Sequence, residues 1–431
     1  MPSKRNFLQA VALAAALVVG QASAQVVIDV VTSSGRTLPI AIAPFAFEDA
    51  APQNITPLIA DNLTRSGMFR ITNTTGISKL PADPSEVNFV DWSGRGAEAL
   101  VIGSITKTAD GRYAVSVRLF DVGKQTQLLA TTYTESATQL RATAHKISDE
   151  IYEKLIGEKG IFSTKIAYVL KTRKGFELQV ADADGFNPQS VLQSVEIIRS
   201  PKWSPDGRKL AYVSFESRKS NIFIQDLTTG KRVKVADFRG DNYAPNWSPD
   251  GRQLVVTLSK DSIAQIYVIP VEGGAAQRVV ESTSMDLNAT FTNDGNHIVF
   301  TSDRSGGAQI YMVQATGGSL KRLTFEGDNN TNPRMSPDGK SVVYVSREAG
   351  KLRIATLELA NPQRTLITNG PLDDSPSYSP NGRTILYEDK SAGRGRLVAV
   401  STDGRVTWKV SSPNGDVREP AWGPFGSSGA R

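Results

Sequence analysis

The motif Pro201-Lys-Trp203-Ser-Pro-Asp206-Gly207 constrains this chain more than any other feature, because it recurs. Copies begin at Pro245, Ala289, Pro333, Pro376 and Pro420, so successive starts lie 44, 44, 44, 43 and 44 residues apart. Each copy has a direct physical reading. A large residue (Trp203, Trp247, Phe291, Met335, Tyr378 or Trp422) ends a short strand and fills the space between neighbouring units. Ser-Pro-Asp-Gly then makes a tight turn, in which Pro sets φ, Asp bonds its own backbone and Gly takes a positive φ. Apolar β-prone runs follow, such as Leu210-Ala-Tyr-Val213 and Ile266-Tyr-Val-Ile269, separated by Gly turns. Four strands in about 44 residues describe a propeller blade.

Counting strands closes the ring. The second strand of the unit begins six times, at Ile166, Leu210, Leu254, Ile298, Val342 and Ile385. No motif precedes Ile166, and no strand follows the motif at Pro420. The C-terminal segment is therefore expected to supply the innermost strand of the blade begun at Ile166, which leaves no open sheet edge. An open solenoid would leave both ends unpaired.

Residues 25–160 lack the repeat. Leu38 to Pro44 reads as a buried strand, and Ile55 to Arg65 has helical spacing. Strands are expected at Phe69–Thr72, Ala99–Thr106, Arg112–Phe120 and Gln127–Thr134, with Asp110-Gly111 as a hairpin turn. Ala137 to Ile156 reads as an amphipathic helix, and Gly157 to Gly160 as a linker. The expected fold is an α+β N-terminal domain (25–160) followed by an all-β six-bladed β-propeller (161–431).

The first 24 residues read as an export signal. Lys4 and Arg5 form a basic start, Phe7 to Val19 an apolar stretch, and Ala22-Ser-Ala24 a small-residue cleavage site. The mature chain is expected to begin at Gln25, soluble and exported, and its lack of Cys suits a bacterial periplasm. Its first residues, Gln25, Val26, Val27, Ile28, Asp29, Val30 and Val31, are β-prone and lead into the flexible Thr32 to Gly35. Two readings stay open. The segment adds an edge strand to its own domain, or it leaves to pair with another protein's sheet edge.

Composition removes much catalytic chemistry. With no Cys, thiolate metal sites and cysteine nucleophiles are excluded, and two His (His145 and His297) cannot build a three-His site. There is no phosphate loop, dinucleotide fingerprint or nucleophile elbow. Asp182-Ala-Asp184-Gly185 lacks calcium-loop spacing and reads as a turn. No cofactor is expected. The residues leave open an ion in the central channel. The whole chain carries a net charge of +6, dispersed without a Lys/Arg run, so nucleic-acid binding is not expected.

The loops that enter each innermost strand depart most from the repeat. They hold Asp241, Asn242 and Tyr243; Asp286, Leu287 and Asn288; Asn330 and Thr331; Asp373 and Asp374; Arg418 and Glu419. Innermost strands line the channel, so these residues are expected to converge on one mouth as a hydrogen-bonding, protein-docking rim. A propeller enzyme (glycosidase, lyase or peptidase-associated) is the competing reading, with Asp373, Asp374 and Glu419 as the clustered acid–base candidates.

Together, the export signal, the α+β domain and the six Trp-Ser-Pro-Asp-Gly-type turns resemble the TolB family, the periplasmic component of the bacterial Tol–Pal system. Thr164 to Val169, Leu210 to Glu216 and Ser401 to Arg405 support the resemblance, which covers essentially the whole chain. At Asn288-Ala289 the chain lacks the usual acid and Pro, so a family contact made by that acid is in doubt. The resemblance implies a non-enzymatic scaffold. It implies that residues 25–31 serve the inner-membrane protein TolA and that the mouth serves Pal, the peptidoglycan-associated lipoprotein. Outer-membrane integrity and envelope constriction at division are the implied roles. Other outer-membrane proteins are further candidate partners, no membrane insertion is expected, and the chain is expected to be a monomer.

Overall fold

A computed structural model describes residues 37–77, 80–413 and 415–426, and the backbone pairing of 28–30. The export signal, Gln25, Val26, Val27 and Val31 lie outside the described residues. No described helix is long and apolar enough to cross a membrane.

The chain has an N-terminal α/β region followed by a six-bladed β-propeller. Each blade is an antiparallel sheet running from the channel outwards. In the second blade, Ile198–Trp203, Lys209–Ser214, Asn221–Asp226 and Arg232–Ala236 pair in sequence order. Leu210, Ala211, Tyr212 and Val213 are all fully buried, because neighbouring blades cover both faces of the strand. That is why the repeat reads as unbroken apolar runs rather than alternation.

The repeated turn works through its side chains. Ser204 Oγ donates to Asp206 Oδ1 at 2.6 Å and accepts from Lys209 N at 2.9 Å, while Gly207 holds φ 69°. Ser248, Ser336 and Ser379 repeat the arrangement, and Thr292 replaces Ser in the fourth blade. The large residue that ends each inner strand wedges between blades. Trp203 Nε1 donates to Ala421 O, and Trp247 Nε1 to Lys202 O, both at 3.1 Å. Each buried indole thus finds the partner it needs on the preceding blade.

The C-terminal strand Asp416–Trp422 pairs with Lys165–Thr172, the second strand of the first blade. Its pairs run from Asp416↔Lys171 to Trp422↔Ile166, and Trp422 Nε1 donates to Thr164 Oγ1 at 2.9 Å. Both ends of the propeller segment therefore lie in one blade.

The N-terminal sheet has the order Phe69–Ile71, Leu38–Ile42, Ala99–Lys107, Tyr113–Asp121, Thr126–Glu135. Leu38–Ile42 runs parallel to both neighbours, and the remaining pairs are antiparallel. Helices Thr56–Arg65 and Leu140–Ile156 bury Leu58, Ile59, Leu63, Ile147 and Ile151 in one core cluster with the sheet. Trp92 packs with Ala41, Leu100 and Ile102 in a second cluster.

A charged knot joins the two regions. Asp184, buried in the turn after strand Gly175–Asp182, pairs with Arg141 and lies 3.7 Å from Arg65 and 3.6 Å from His145 Nε2. Asp182 pairs with Lys165 at 2.5 Å. Burial pushes the His145 imidazole down to about 4, so it sits neutral beside Asn62, with Nδ1 3.0 Å from the amide. His145, Asp182 and Asp184 are spaced as a metal-ligand set, but Arg65, Arg141 and Lys165 already balance the two carboxylates. A further cation there would meet uncompensated repulsion.

Candidate functional site

Every inner strand opens the same way. Of three successive residues near its start, the first is buried, the second lines the mouth in five of the six blades, and the third sits in the left-handed region. Those third residues are Ser200, Ala244, Asn288, Asn332, Ser375 and Glu419, with φ between 46° and 55°. At each of them the pairing register with the next strand shifts by a bulge. Five of the six precede Pro, which disfavours a right-handed helical conformation at that residue. A non-glycine residue held so costs about 1–3 kcal/mol. Six such positions around one opening form a built ring, since bulges re-aim side chains.

The mouth encloses a cavity of about 780 Å³. Of the residues expected there, Tyr243, Leu287, Asn288, Asp374, Arg418 and Glu419 line it. Asp241 is exposed on the rim, and Thr331 is partly buried on the fifth blade's inner strand, off the cavity wall. Asn242, Asp286, Asn330 and Asp373 occupy the first position and are buried. Their side chains fasten the incoming loops. Asn242 accepts from Phe238 N and donates to Phe238 O, both at 3.0 Å. Asn330 donates to Gln309 Oε1 at 2.8 Å, and Asp286 accepts from Arg304 at 2.9 Å. Burial raises the Asp373 carboxyl to about 6. These four shape the mouth without facing it.

The mouth wall is laced between blades. Glu419 accepts from Arg199 Nε at 3.1 Å and from Ser200 N at 2.7 Å. Asp374 accepts from Asn332 Nδ2 at 3.0 Å and pairs with Lys390 at 2.8 Å. Glu388, 1% exposed, accepts from Glu419 N at 3.2 Å. Burial pushes its carboxyl up to about 7, although Lys390 lies 3.6 Å away. Of the carboxylates of the enzyme reading, Asp373 is buried, and Asp374 and Glu419 are tied into these contacts.

Sequence reasoning missed Arg199, Ser200, Lys202, Arg334, Glu388 and Lys390 on this wall. The first two were within reach. Arg199-Ser200 holds the same place before Pro201 that Tyr243-Ala244 holds before Pro245. Glu388 and Lys390 come from the second strand of the sixth blade and its exit, where the repeat gives no cue.

At the outer edge of the sixth blade the N-terminal segment adds a fifth strand. Ile28–Val30 pairs antiparallel with Val406–Lys409, in the register Ile28↔Trp408, Asp29↔Thr407, Val30↔Val406. The sixth blade runs unbroken from Asp373–Tyr378 at the mouth to this added strand. Gly67 of the N-terminal region abuts the same edge. At φ 71°, a Cβ there would lie 2.6 Å from Val406 Cγ2.

These features define a two-part β-propeller protein, with a polar mouth ringed by six bulges and a chain end paired to an outer edge. Comparison with known proteins gives the family. Residues 26–128 match the TolB amino-terminal domain and residues 152–426 the TolB beta propeller domain. The chain is 57% identical over 409 residues to the Tol-Pal system protein TolB of Methylobacillus flagellatus, covering 94% of each. It is 44% identical to that of Nitrosomonas europaea over 241 residues, 56% of each. The crystal structure of TolB from Acinetobacter baumannii superposes with a TM-score of 0.84 at 37% identity, covering 93% of this chain and 100% of that one. The chain belongs to the TolB family.

Proposed function

We propose that this protein is a non-enzymatic periplasmic scaffold of the Tol–Pal system, linking TolA at the inner membrane to the lipoprotein Pal. In this reading residues 1–24 are removed on export. Residues 25–160 then carry the TolA-binding segment 25–35, and residues 161–431 form a propeller whose mouth takes Pal. The observation that carries it is the Ile28–Val30 strand on the sixth blade. A segment held in cis by main-chain hydrogen bonds can be held in trans by the same groups, but not both at once. Three paired residues make a contact that a partner edge can replace. The mouth supplies the contrasting kind of surface, made of fixed, charged and bulge-directed side chains.

Coupling between the two ends follows from the sixth blade, which contributes Asp374 to the mouth and Val406–Lys409 to the docked strand. Such coupling must be reciprocal in free energy. Calorimetric titration of TolA into the mature protein, with and without saturating Pal, tests it. Different affinities are expected, and equal ones would remove the coupling. Asp374→Lys should weaken Pal, through loss of the Lys390 and Asn332 contacts and reversal of charge at the wall.

A further inference from the structure

Among the described residues, three cations that line the mouth make no ion pair, and two of them, unlike the exposed Arg394, are partly buried. Arg199 pairs with Glu419 at 3.1 Å, Lys390 with Asp374 at 2.8 Å, and Arg418 Nε with Asp416 at 3.0 Å. Lys202 and Arg334, which also line the cavity, make no ion pair among the described residues. Both stand two places past the bulge, deeper than the mouth-facing position. The equivalent residues of the other blades are Asn246, Thr290, Ser377 and Ala421, none of them charged. In the closed ring, the second and fifth blades are three steps apart in either direction, so Lys202 and Arg334 face each other across the channel.

The two cations carry an electrostatic cost. Burial and the Arg334 charge hold the Lys202 amine well below its usual value. Burial pushes the Arg334 guanidinium down to about 10, with Glu419 and Asp374 opposing. Arg334 donates through one terminal nitrogen to Pro333 O at 2.7 Å, while its buried Nε has no hydrogen-bond partner. A buried donor left unmade marks a place where an acceptor belongs.

We propose that the deep part of the mouth is an oxyanion site, in which Lys202 and Arg334 hold a carboxylate or phosphate group between them. Arg334 supplies the planar fork and its free Nε–H, and Lys202 a point charge from the opposite wall. A single anion would relieve the repulsion between the two cations and fill the unused donor.

The test is calorimetric titration of inorganic phosphate into the mature protein at constant ionic strength. Saturable binding is expected. Lys202→Gln and Arg334→Gln should each weaken it about tenfold, the worth of a charge-assisted contact, whereas Arg334→Lys should retain more of it. Absence of saturable binding to the wild type would overturn the proposal. So would equal affinity in the folded K202Q/R334Q variant. The wild-type titration decides even if that variant does not fold. A second arm separates the sources of the anion. Competition between phosphate and the docking partner proposed above assigns the site to a partner carboxylate, and simultaneous binding assigns it to a free ion. Because the first arm uses the protein alone, its failure is distinct from failure of the docking reading.

Discussion

Both ends of this chain add a strand to a blade, and they do it differently. The C-terminal strand Asp416–Trp422 lies on the inner edge of the first blade, with Val417, Ala421 and Trp422 buried between neighbours. The N-terminal strand Ile28–Val30 lies on the outer edge of the sixth, with three backbone pairs. The main-chain chemistry is the same. Burial of large side chains makes one a permanent clasp. In the proposed reading, a short register on an outer edge leaves the other exchangeable. Strand pairing by itself does not fix a segment. Fixation comes from the apolar surface that the strand takes with it.

The largest expected effect is loss of the clasp. Deleting residues 416–431 exposes the inner edge of Lys165–Thr172 and removes Trp422 from its wedge. A buried Trp is worth about 3–5 kcal/mol against truncation, and the open edge adds aggregation. A thermal melt should show a large fall or no cooperative transition. An unchanged melt would show that the ring closes without this strand.

An intermediate effect separates the mouth from both ends. The raised value of Glu388 means that the fold favours its protonated form. That contribution is fully present below about pH 4.5 and is lost as pH rises through about 7. Glu388→Gln keeps the uncharged shape and cannot ionise. The variant should therefore gain on the wild type between about pH 5 and pH 8, by up to about 3 kcal/mol, a figure that already includes the opposing Lys390 charge. Melting both proteins across that range checks the sign. A pH-independent difference would mean that Glu388 is not the titrating group. Asp149 and Asp373, both raised to about 6, stay in the two proteins and cancel.

The smallest expected effect sharpens the contrast. Deleting residues 25–31 removes three backbone pairs, whose net worth of roughly 0.5–1.5 kcal/mol each is offset by about 1–2 kcal/mol of backbone entropy per ordered residue. The melting temperature should move by no more than about 2 °C, while TolA binding is lost. A fall like that of the clasp deletion would make the N-terminal strand a structural element and erase the difference between the two ends.

Legibility followed the range of each interaction. The Ser-Pro-Asp-Gly turn joins residues two to five apart, so its chemistry is written locally. The mouth was half legible. Tyr243 and Asp374 are where the loop pattern puts them, but Asn242 and Asp286, of similar polarity, turn inward. One place along an inner strand separates facing the mouth from closing a loop, and composition does not record that phase. Asp182-Ala-Asp184-Gly185 reads correctly as a turn, with Gly185 N donating to Asp182 O at 2.8 Å. Its second use, as the anchor for Arg65 and Arg141, depends on helices more than 40 residues away.

The sequence by itself determined the blade, the number of blades and the strand missing from the first, because a repeat reports its own period and its own gaps. Only the tertiary structure decided where the N-terminal segment pairs. It is held here not by its own domain's sheet but by an edge nearly 380 residues downstream. Only the closed ring placed Lys202 opposite Arg334. Single positions in a sequence carry residue type, whereas opposition across a channel is a property of six blades closing at once. The physical reason is the same in both cases. Local turns are specified by a few bonded neighbours, and long-range juxtaposition by which apolar surfaces can be buried together.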